Sequence, residues 1–242
     1  MKAIVLAAGR GSRLGSLTND NPKCLTELFG KSLIEWQVKA LNEAGINEIA
    51  IVRGYKKEKI NIKNATYFDN DIWDKTNMVM SLYKADEWLQ KYECIISYSD
   101  IIYKSEVIDL LKNNYCDISI TYNTNWLKLW KARFKDPLLD AESFRIDDKG
   151  KLLEIGKRVD SIEEIQGQYM GILKFKPSGW KKVKAYLDSL SEQEQNKMDM
   201  TSLLNKLIER DIEICTIPSS GIWLEVDNEN DLNLYKNSFN AI

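Results

Sequence analysis

A short apolar run that feeds directly into a glycine turn at the amino terminus constrains this chain more than any other feature. The run is Met1-Lys-Ala-Ile-Val-Leu-Ala-Ala-Gly-Arg-Gly-Ser-Arg-Leu14. Consecutive apolar residues at 4–6 predict a strand covered on both faces. Gly9 and Gly11 then let the backbone turn tightly and aim its N–H groups at oxygens. Arg13 follows, and Pro22-Lys23 comes soon after, so two cations stand close behind the turn. A strand, a glycine turn and two cations are what holding a nucleoside triphosphate by its phosphates requires.

Other glycine-loop chemistries fit less well. A dinucleotide fingerprint needs a third glycine, and Leu14 stands in its place. Gly30-Lys31-Ser32 imitates the end of a P-loop, but the upstream glycine of that motif is Leu25 here, so the segment reads as a turn before a helix.

The chain has 242 residues, is 44% hydrophobic and carries a net charge of −2. That length supports one core without staples, and the charge argues against nucleic acid or an anionic membrane as partner. Cys24, Cys94, Cys116 and Cys215 are scattered, with no C-x-x-C pair, so reduced thiols in a cytoplasm are expected. No apolar run reaches the roughly 18 residues of a membrane span. The chain contains no histidine, which removes Ser-His-Asp and Cys-His triads and imidazole-built zinc sites. Phosphoryl chemistry tolerates this, because a phosphate nucleophile with a second pKa of about 6 is already ionised.

The hydrophobic pattern alternates strands and helices. A helix is predicted over 32–44, a strand over 48–52, another beginning at Tyr67, a helix over 75–90 and an apolar strand over 93–98. This implies an α/β fold with a mostly parallel sheet, whose ligands bind beyond the carboxyl ends of the strands. The pattern becomes irregular from Tyr122. A hairpin is predicted around the turn at 147–150, then a strand over 171–175, helices over 180–190 and 201–209, and a late strand over 213–217.

Asp100 and Asp227 both sit where a carboxylate either caps a following helix or binds a metal. Lys157 after the hairpin reads as a solvated lysine when taken alone. Asn77 is equally suited to cap a helix or to meet a base edge. Trp126 and Trp130 read as core.

Leu6-Ala7-Ala8-Gly9-Arg10-Gly11-Ser12-Arg13-Leu14 with Pro22-Lys23 resembles the signature of the nucleotidyltransferase superfamily that makes activated sugars and head groups. The resemblance implies a single Rossmann-like, GT-A-like domain over 1–242. Residues 1–121 would form its nucleotide half, and 122–242 the acceptor-binding and metal-completing half. It implies that Leu6, Ala7, Ala8, Gly9, Gly11 and Ser12 contact the nucleotide while Arg13 and Lys23 neutralise the triphosphate. Asp100 and Asp227, the latter in a W-x-E-x-D pattern, would hold Mg²⁺, and Lys157 would bind the acceptor's phosphate. Asn77 and Ser81 form an Asn-x-x-x-Ser pattern that resembles the phosphocholine cytidylyltransferase branch, which implies CTP.

The blocks Leu129–Glu142, Glu164–Tyr169 and Met200-Thr201-Ser202 are similar to a capsule-pathway subgroup of cytidylyltransferases acting on glutamine phosphate. That similarity places Arg133, Arg158, Gln168 and Tyr169 near the acceptor. Glu225, with the aromatics Trp126, Trp130 and Tyr169, would suit phosphocholine instead. The expected protein is a Mg²⁺-dependent cytoplasmic cytidylyltransferase. Phosphocholine, then a sugar 1-phosphate, are the alternative acceptors, and a non-catalytic nucleotide-binding regulator is the alternative of another class. Its partners are CTP and a small phosphorylated acceptor, with a homodimer left open.

Overall fold

A computed structural model describes residues 1–238. In chain order the first half comprises β1 (Lys2–Ala7), β2 (Glu27–Leu28), β3 (Lys31–Ser32), α1 (Leu33–Glu43), β4 (Ile49–Arg53), β5 (Thr66–Asp69), α2 (Met78–Tyr83), α3 (Asp86–Leu89), β6 (Cys94–Tyr98), β7 (Ile101–Tyr103) and α4 (Ser105–Lys112). There follow β8 (Ile118–Asn123), α5 (Trp126–Arg133), β9 (Glu142–Ile146), β10 (Leu152–Arg158), β11 (Gln168–Phe175), α6 (Pro177–Leu187), α7 (Glu192–Lys197), α8 (Met200–Ile208), β12 (Cys215–Ser219), β13 (Trp223–Glu225) and α9 (Glu229–Ser238).

Seven strands form the main sheet in the order β12-β8-β11-β6-β1-β4-β5. Every neighbouring pair is parallel except the two made by β11, which runs antiparallel between β8 and β6. The predicted mostly parallel sheet is therefore found, with one strand from the second half of the chain inserted into it. Central strands are buried on both faces, as the apolar runs of β1 and β6 require. Leu6 lies in register with Tyr98, so the glycine turn after β1 and Asp100 after β6 leave the sheet side by side.

Helix α1 shows how local sequence sets these boundaries. Ser32 caps it: Glu35 accepts from the Ser32 backbone N–H at 2.8 Å and from its hydroxyl at 2.7 Å, a reciprocal capping box. Leu33, Ile34, Trp36, Ala40 and Leu41 are buried along one face. The segment Gly30-Lys31-Ser32, read as a turn before the helix, forms the end of the turn and the second strand of a β2–β3 hairpin.

A small antiparallel ribbon pairs β13 with β7, with Glu225 opposite Ile101, and the Val226 N–H donates to the Asp100 carbonyl at 2.9 Å. This ribbon delivers Asp227 to Asp100 from far along the chain. A separate apolar cluster fastens it down, including Leu14, Trp36, Ile102, Leu224, Val226 and Tyr235.

Three expectations change. The helix predicted over 75–90 is two short ones. Asn77 starts the first by accepting from the Met78 N–H at 2.7 Å, and Ala85 leaves helical geometry between them. The irregular stretch after Tyr122 contains helix α5, whose Trp126 and Trp130 are buried one turn apart, as core residues should be. The cysteines are not all unpaired: Cys116 is bonded to Cys215, while Cys24 and Cys94 are free and buried. Scattered spacing hides this pair because it arises from the sheet, where β12 lies parallel to β8 and Cys215 falls opposite Ser119.

Among the described residues, no helix is long and apolar enough to cross a membrane. The disulfide spans 99 residues, and closing so long a loop constrains the unfolded chain by about 2–4 kcal/mol. Reduction should lower the melting temperature by roughly 5–15 °C. Non-reducing peptide mapping should recover Cys116 linked to Cys215; free thiols at both positions in the native protein would contradict the pairing.

Candidate active site

The site grows from the turn after β1. Gly11 has φ +73°, and a Cβ there would lie 2.5 Å from the Lys23 Cβ. Glycine is required twice over: for the left-handed backbone and to let the Lys23 stem pass. That stem is buried, and its Nζ donates to Asp100 Oδ2 and Asp227 Oδ1, both at 2.8 Å. Burial opposes the charge on Lys23, but the two carboxylates outweigh it and hold its pKa above the ordinary lysine value.

Asp227 is the hub of the cluster. Its Oδ1 also takes Arg13 Nη2 at 2.8 Å, and its Oδ2 takes Arg133 Nη2 at 3.2 Å. Burial pushes its pKa up, yet Lys23, Arg13 and Arg133 together bring it below the usual carboxylate range. It does not cap α9. That work falls to Asn228, whose Oδ1 accepts from the Asp231 N–H, and to Asp231, which accepts from the N–H groups of Asp227 and Asn228. Asp100 is followed by strand β7 rather than a helix, so its cap reading disappears as well. Its Oδ1 is buried without a hydrogen-bond partner.

Two cavities flank this cluster. The first, about 290 Å³, is lined by Leu6, Ala8, Gly9, Gly11, Ser12, Arg13 and Lys23, by Asn77 and Ser81, and by Asp100. Ala7 is buried in β1 outside this lining. The Ser81 hydroxyl accepts from the buried Asn70 amide at 3.0 Å, which fixes it at the cavity wall. Asn77 both caps α2 and lines the cavity. The sequence reading missed Trp73, Thr76, Met78, Tyr98 and Ser99, which also line it. Only the register of β6 against β1 would have pointed to Tyr98 and Ser99.

The second cavity, about 350 Å³, shares Arg13, Met78 and Tyr98 with the first. Gln168, Tyr169, Glu225 and Asp227 line it, together with Trp130, Asp140, Glu142, Phe144 and Asp199. Tyr169 meets Tyr98 edge to face with centroids 5.8 Å apart. Gln168 is buried, and its amide donates to the Glu142 carbonyl at 2.7 Å, fixing β9 against β11. Glu225 has its pKa pushed up to about 7 by burial and the nearby Asp227, against the pull of Arg133. Asp199 was missed because it reads as a helix cap, which it also is: the Ser202 N–H donates to it at 2.7 Å.

Three predicted residues lie elsewhere. The side chain of Arg133 is fully buried and spends its donors on Glu225, Asp227 and Asp231. It lines neither cavity; it orients Asp227. Lys157 is 59% exposed, paired with Glu154 at 2.7 Å, and borders the second cavity only through Gly156. Arg158 is exposed at the end of β10 and outside both linings.

Residues 3–151 match the model of the MobA-like NTP transferase domain. The chain belongs to that family. It is 38% identical to CTP:phosphoglutamine cytidylyltransferase of Campylobacter jejuni over 250 residues, covering 96% of this chain and 98% of the relative. It is 34% identical to choline-phosphate cytidylyltransferase of Streptococcus pneumoniae over 60% of this chain and 67% of that protein. The inositol-1-phosphate CTP transferase of T. maritima superposes with a TM-score of 0.74 at 19% identity, covering 98% of this chain and 96% of that one. This last likeness confirms the nucleotidyltransferase fold. The protein is thus an enzyme of the nucleotidyltransferase family, whose members typically use a divalent metal ion.

The two aspartates should respond differently to the same substitution. Asp227→Asn leaves buried cations facing an amide, and breaking such a pair costs about 3–5 kcal/mol, so its melting temperature should fall clearly. Asp100 is 22% exposed at the side chain and faces one cation. Asp100→Asn should melt within a few degrees of the wild type while losing at least about a hundredfold in turnover. A near-wild-type rate for Asp100→Asn would remove that residue from the site.

Proposed function

We propose that this protein transfers CMP from CTP to phosphoglutamine, releasing pyrophosphate and forming CDP-glutamine for capsule modification in the cytoplasm. Phosphocholine is the second acceptor to consider and a sugar 1-phosphate the third. The observation that carries the reading is the pair of adjoining cavities: a glycine-lined, basic one beside an acidic one, meeting at Arg13, Met78 and Tyr98. A nucleotide and an acceptor placed in them would bring their phosphates together at Arg13. Similarity to the phosphoglutamine enzyme over nearly the whole of both chains supports this choice of substrates.

In this reading residues 1–121 supply the nucleotide cavity and 122–242 supply the acceptor walls, Glu225 and Asp227. The backbone of Gly9 to Ser12 cradles the triphosphate. Asn77 and Ser81, which line the first cavity, are assigned to the base and ribose. An oxygen of the acceptor's phosphate attacks the α-phosphorus of CTP, forming a new O–P bond as the bond to the β-phosphate oxygen breaks. The electron pair leaves on pyrophosphate. Arg13 and Lys23 neutralise the charge that develops, so positioning and electrostatics provide the acceleration. No general base is required, in keeping with a chain that lacks histidine. Lys157, exposed and paired with Glu154 in a contact worth little, is the cation this reading assigns to the acceptor's phosphate.

Asp100 and Asp227 fit Mg²⁺. Both offer hard carboxylate oxygens directed at one point, now taken by the Lys23 ammonium, and Asp100 Oδ1 is buried without a partner. When bound, the ion would neutralise the triphosphate.

A pyrophosphate-release screen crossing CTP, UTP, ATP and GTP with phosphoglutamine, phosphocholine and glucose 1-phosphate tests the reading. CTP with phosphoglutamine should be fastest. Equal rates with ATP or GTP would overturn the base assignment, faster CDP-choline formation would reverse the acceptor ranking, and nucleotide binding without turnover for every pair would leave a non-catalytic regulator.

A further inference from the structure

Helix α1 carries one residue that its apolar face does not call for. Gln37 is wholly buried on a face otherwise made of Leu33, Ile34, Trp36, Ala40 and Leu41. An amide in such a place costs free energy unless its ends are hydrogen-bonded, so its partners indicate what it holds. Gln37 Nε2 donates to the Ile101 carbonyl at 2.9 Å, and Gln37 Oε1 faces the Ser97 hydroxyl at 3.4 Å. That hydroxyl also reaches the Tyr98 carbonyl at 3.0 Å and accepts from the Tyr103 hydroxyl at 3.1 Å. Ser97 and Tyr103 are buried as well.

The two carbonyls in this network belong to the residues on either side of Ser99-Asp100. The turn that lifts Asp100 off β6 is therefore gripped at both ends from the interior, while the Val226 N–H ties the Asp100 carbonyl from the neighbouring ribbon. Gln37, Ser97 and Tyr103 line neither cavity, so they act through the backbone they hold. A carboxylate that serves a metal ion must be fixed to within about half an ångström. The Asp100 side chain is bonded to Lys23 through one oxygen, and its other oxygen has no partner. Its position is inherited from the turn.

We infer that Gln37, backed by Ser97 and Tyr103, is a positioning residue for Asp100: it sets the turn that presents this carboxylate to the divalent cation. The inference rests on the reading of Asp100 and Asp227 as the metal's ligands and adds the residue on which one of them depends. A leucine at position 37 would fill the same space, but it would leave the Ile101 carbonyl without the amide donor and the Ser97 hydroxyl without one of its acceptors. Replacing residues one layer behind a metal's ligands typically changes its affinity about ten- to a hundredfold.

The test measures, by calorimetry, binding of α,β-methylene-CTP, which cannot release pyrophosphate, in Mg²⁺ and in EDTA. The ratio of the two dissociation constants is the gain that the metal brings, and a uniform loss of folded protein leaves it unchanged. The wild type should bind more tightly in Mg²⁺, and Asp100→Asn should lose most of that gain. Gln37→Met keeps the length of the side chain and removes the amide; it should lose at least about tenfold of the gain while binding in EDTA as the wild type does. Adding Gln37→Met to Asp100→Asn should lower the gain no further, because the first acts through the second. Val183→Ala, which opens a cavity in α6 outside both linings, should lower the melting temperature and leave the gain intact. Should Gln37→Met not fold, Ser97→Ala removes a partner of the same amide and should cut the gain at least about threefold. A gain that Asp100→Asn abolishes but Gln37→Met, or Ser97→Ala in its stead, keeps in full would overturn the inference alone, as would an equal loss in Val183→Ala. A gain that Asp100→Asn keeps, or none in the wild type, would overturn the metal reading and the inference with it.

Discussion

The buried ammonium of Lys23, held between Asp100 and Asp227, is the contact on which the rest of the site depends. Asp100 leaves the central sheet after β6, Asp227 arrives on the β13 ribbon, and Lys23 enters beneath the glycine turn. Three segments distant in sequence are thereby locked to one point. Two carboxylates brought this close without a cation would repel strongly in a half-dry pocket. The fold can therefore keep the convergence only by lodging a positive charge in it, and Lys23 does so in the absence of other ligands.

Around that contact the charges nearly balance. Asp100, Asp227, Glu225 and Asp231 face Arg13, Lys23 and Arg133. A rigid inner layer and a movable outer one divide the work. The Arg133 side chain is fully buried and ties Glu225, Asp227 and Asp231 together, so the segment bearing Asp227 has one orientation. Arg13 is 66% exposed at its side chain and sits at the junction of both cavities, where on the proposed reading it would exchange a carboxylate for a phosphate. A geometry that must be precise is built on the buried arginine, and one that must respond is left to the exposed one.

What the sequence revealed and what it hid follow from how local each signal is. The turn after β1, the cap of α1 at Ser32 and the apolar strand ending before Asp100 are written in neighbouring residues, and the structure has them within a residue or two. Asp100 and Asp227 were visible as acids at element ends, but their meeting depends on the pairing of β13 with β7, a long-range event with no local mark. The same limit concealed the Cys116–Cys215 bond and the insertion of β11. Arg133 shows the converse error. Similarity marked it as part of an acceptor region, whereas its location is beneath that region, because a charged residue between two tryptophans' helix and an acidic segment is drawn inward to its partners. Asp199 was disguised by doing two things at once, since a cap and a cavity wall have the same one-letter signature.

The charge balance also explains why this architecture calls for an added metal. Its acids slightly outnumber its bases before any substrate binds, and a triphosphate adds several further negative charges. If Lys23 and Arg13 turn to the phosphates, Asp100 and Asp227 lose their counter-ions; if they stay, the phosphates go unneutralised. Neither arrangement is favourable in a pocket where water is scarce and unpaired charge is costly. A divalent cation would resolve both at once, with the two carboxylates as its ligands and its charge offsetting that of the phosphates. The buried, partnerless Oδ1 of Asp100 is the oxygen that gains most from such an ion. On the proposed reading Lys23 would have a role in each state, standing in for the cation between the two aspartates and joining in holding the triphosphate once the cation is bound.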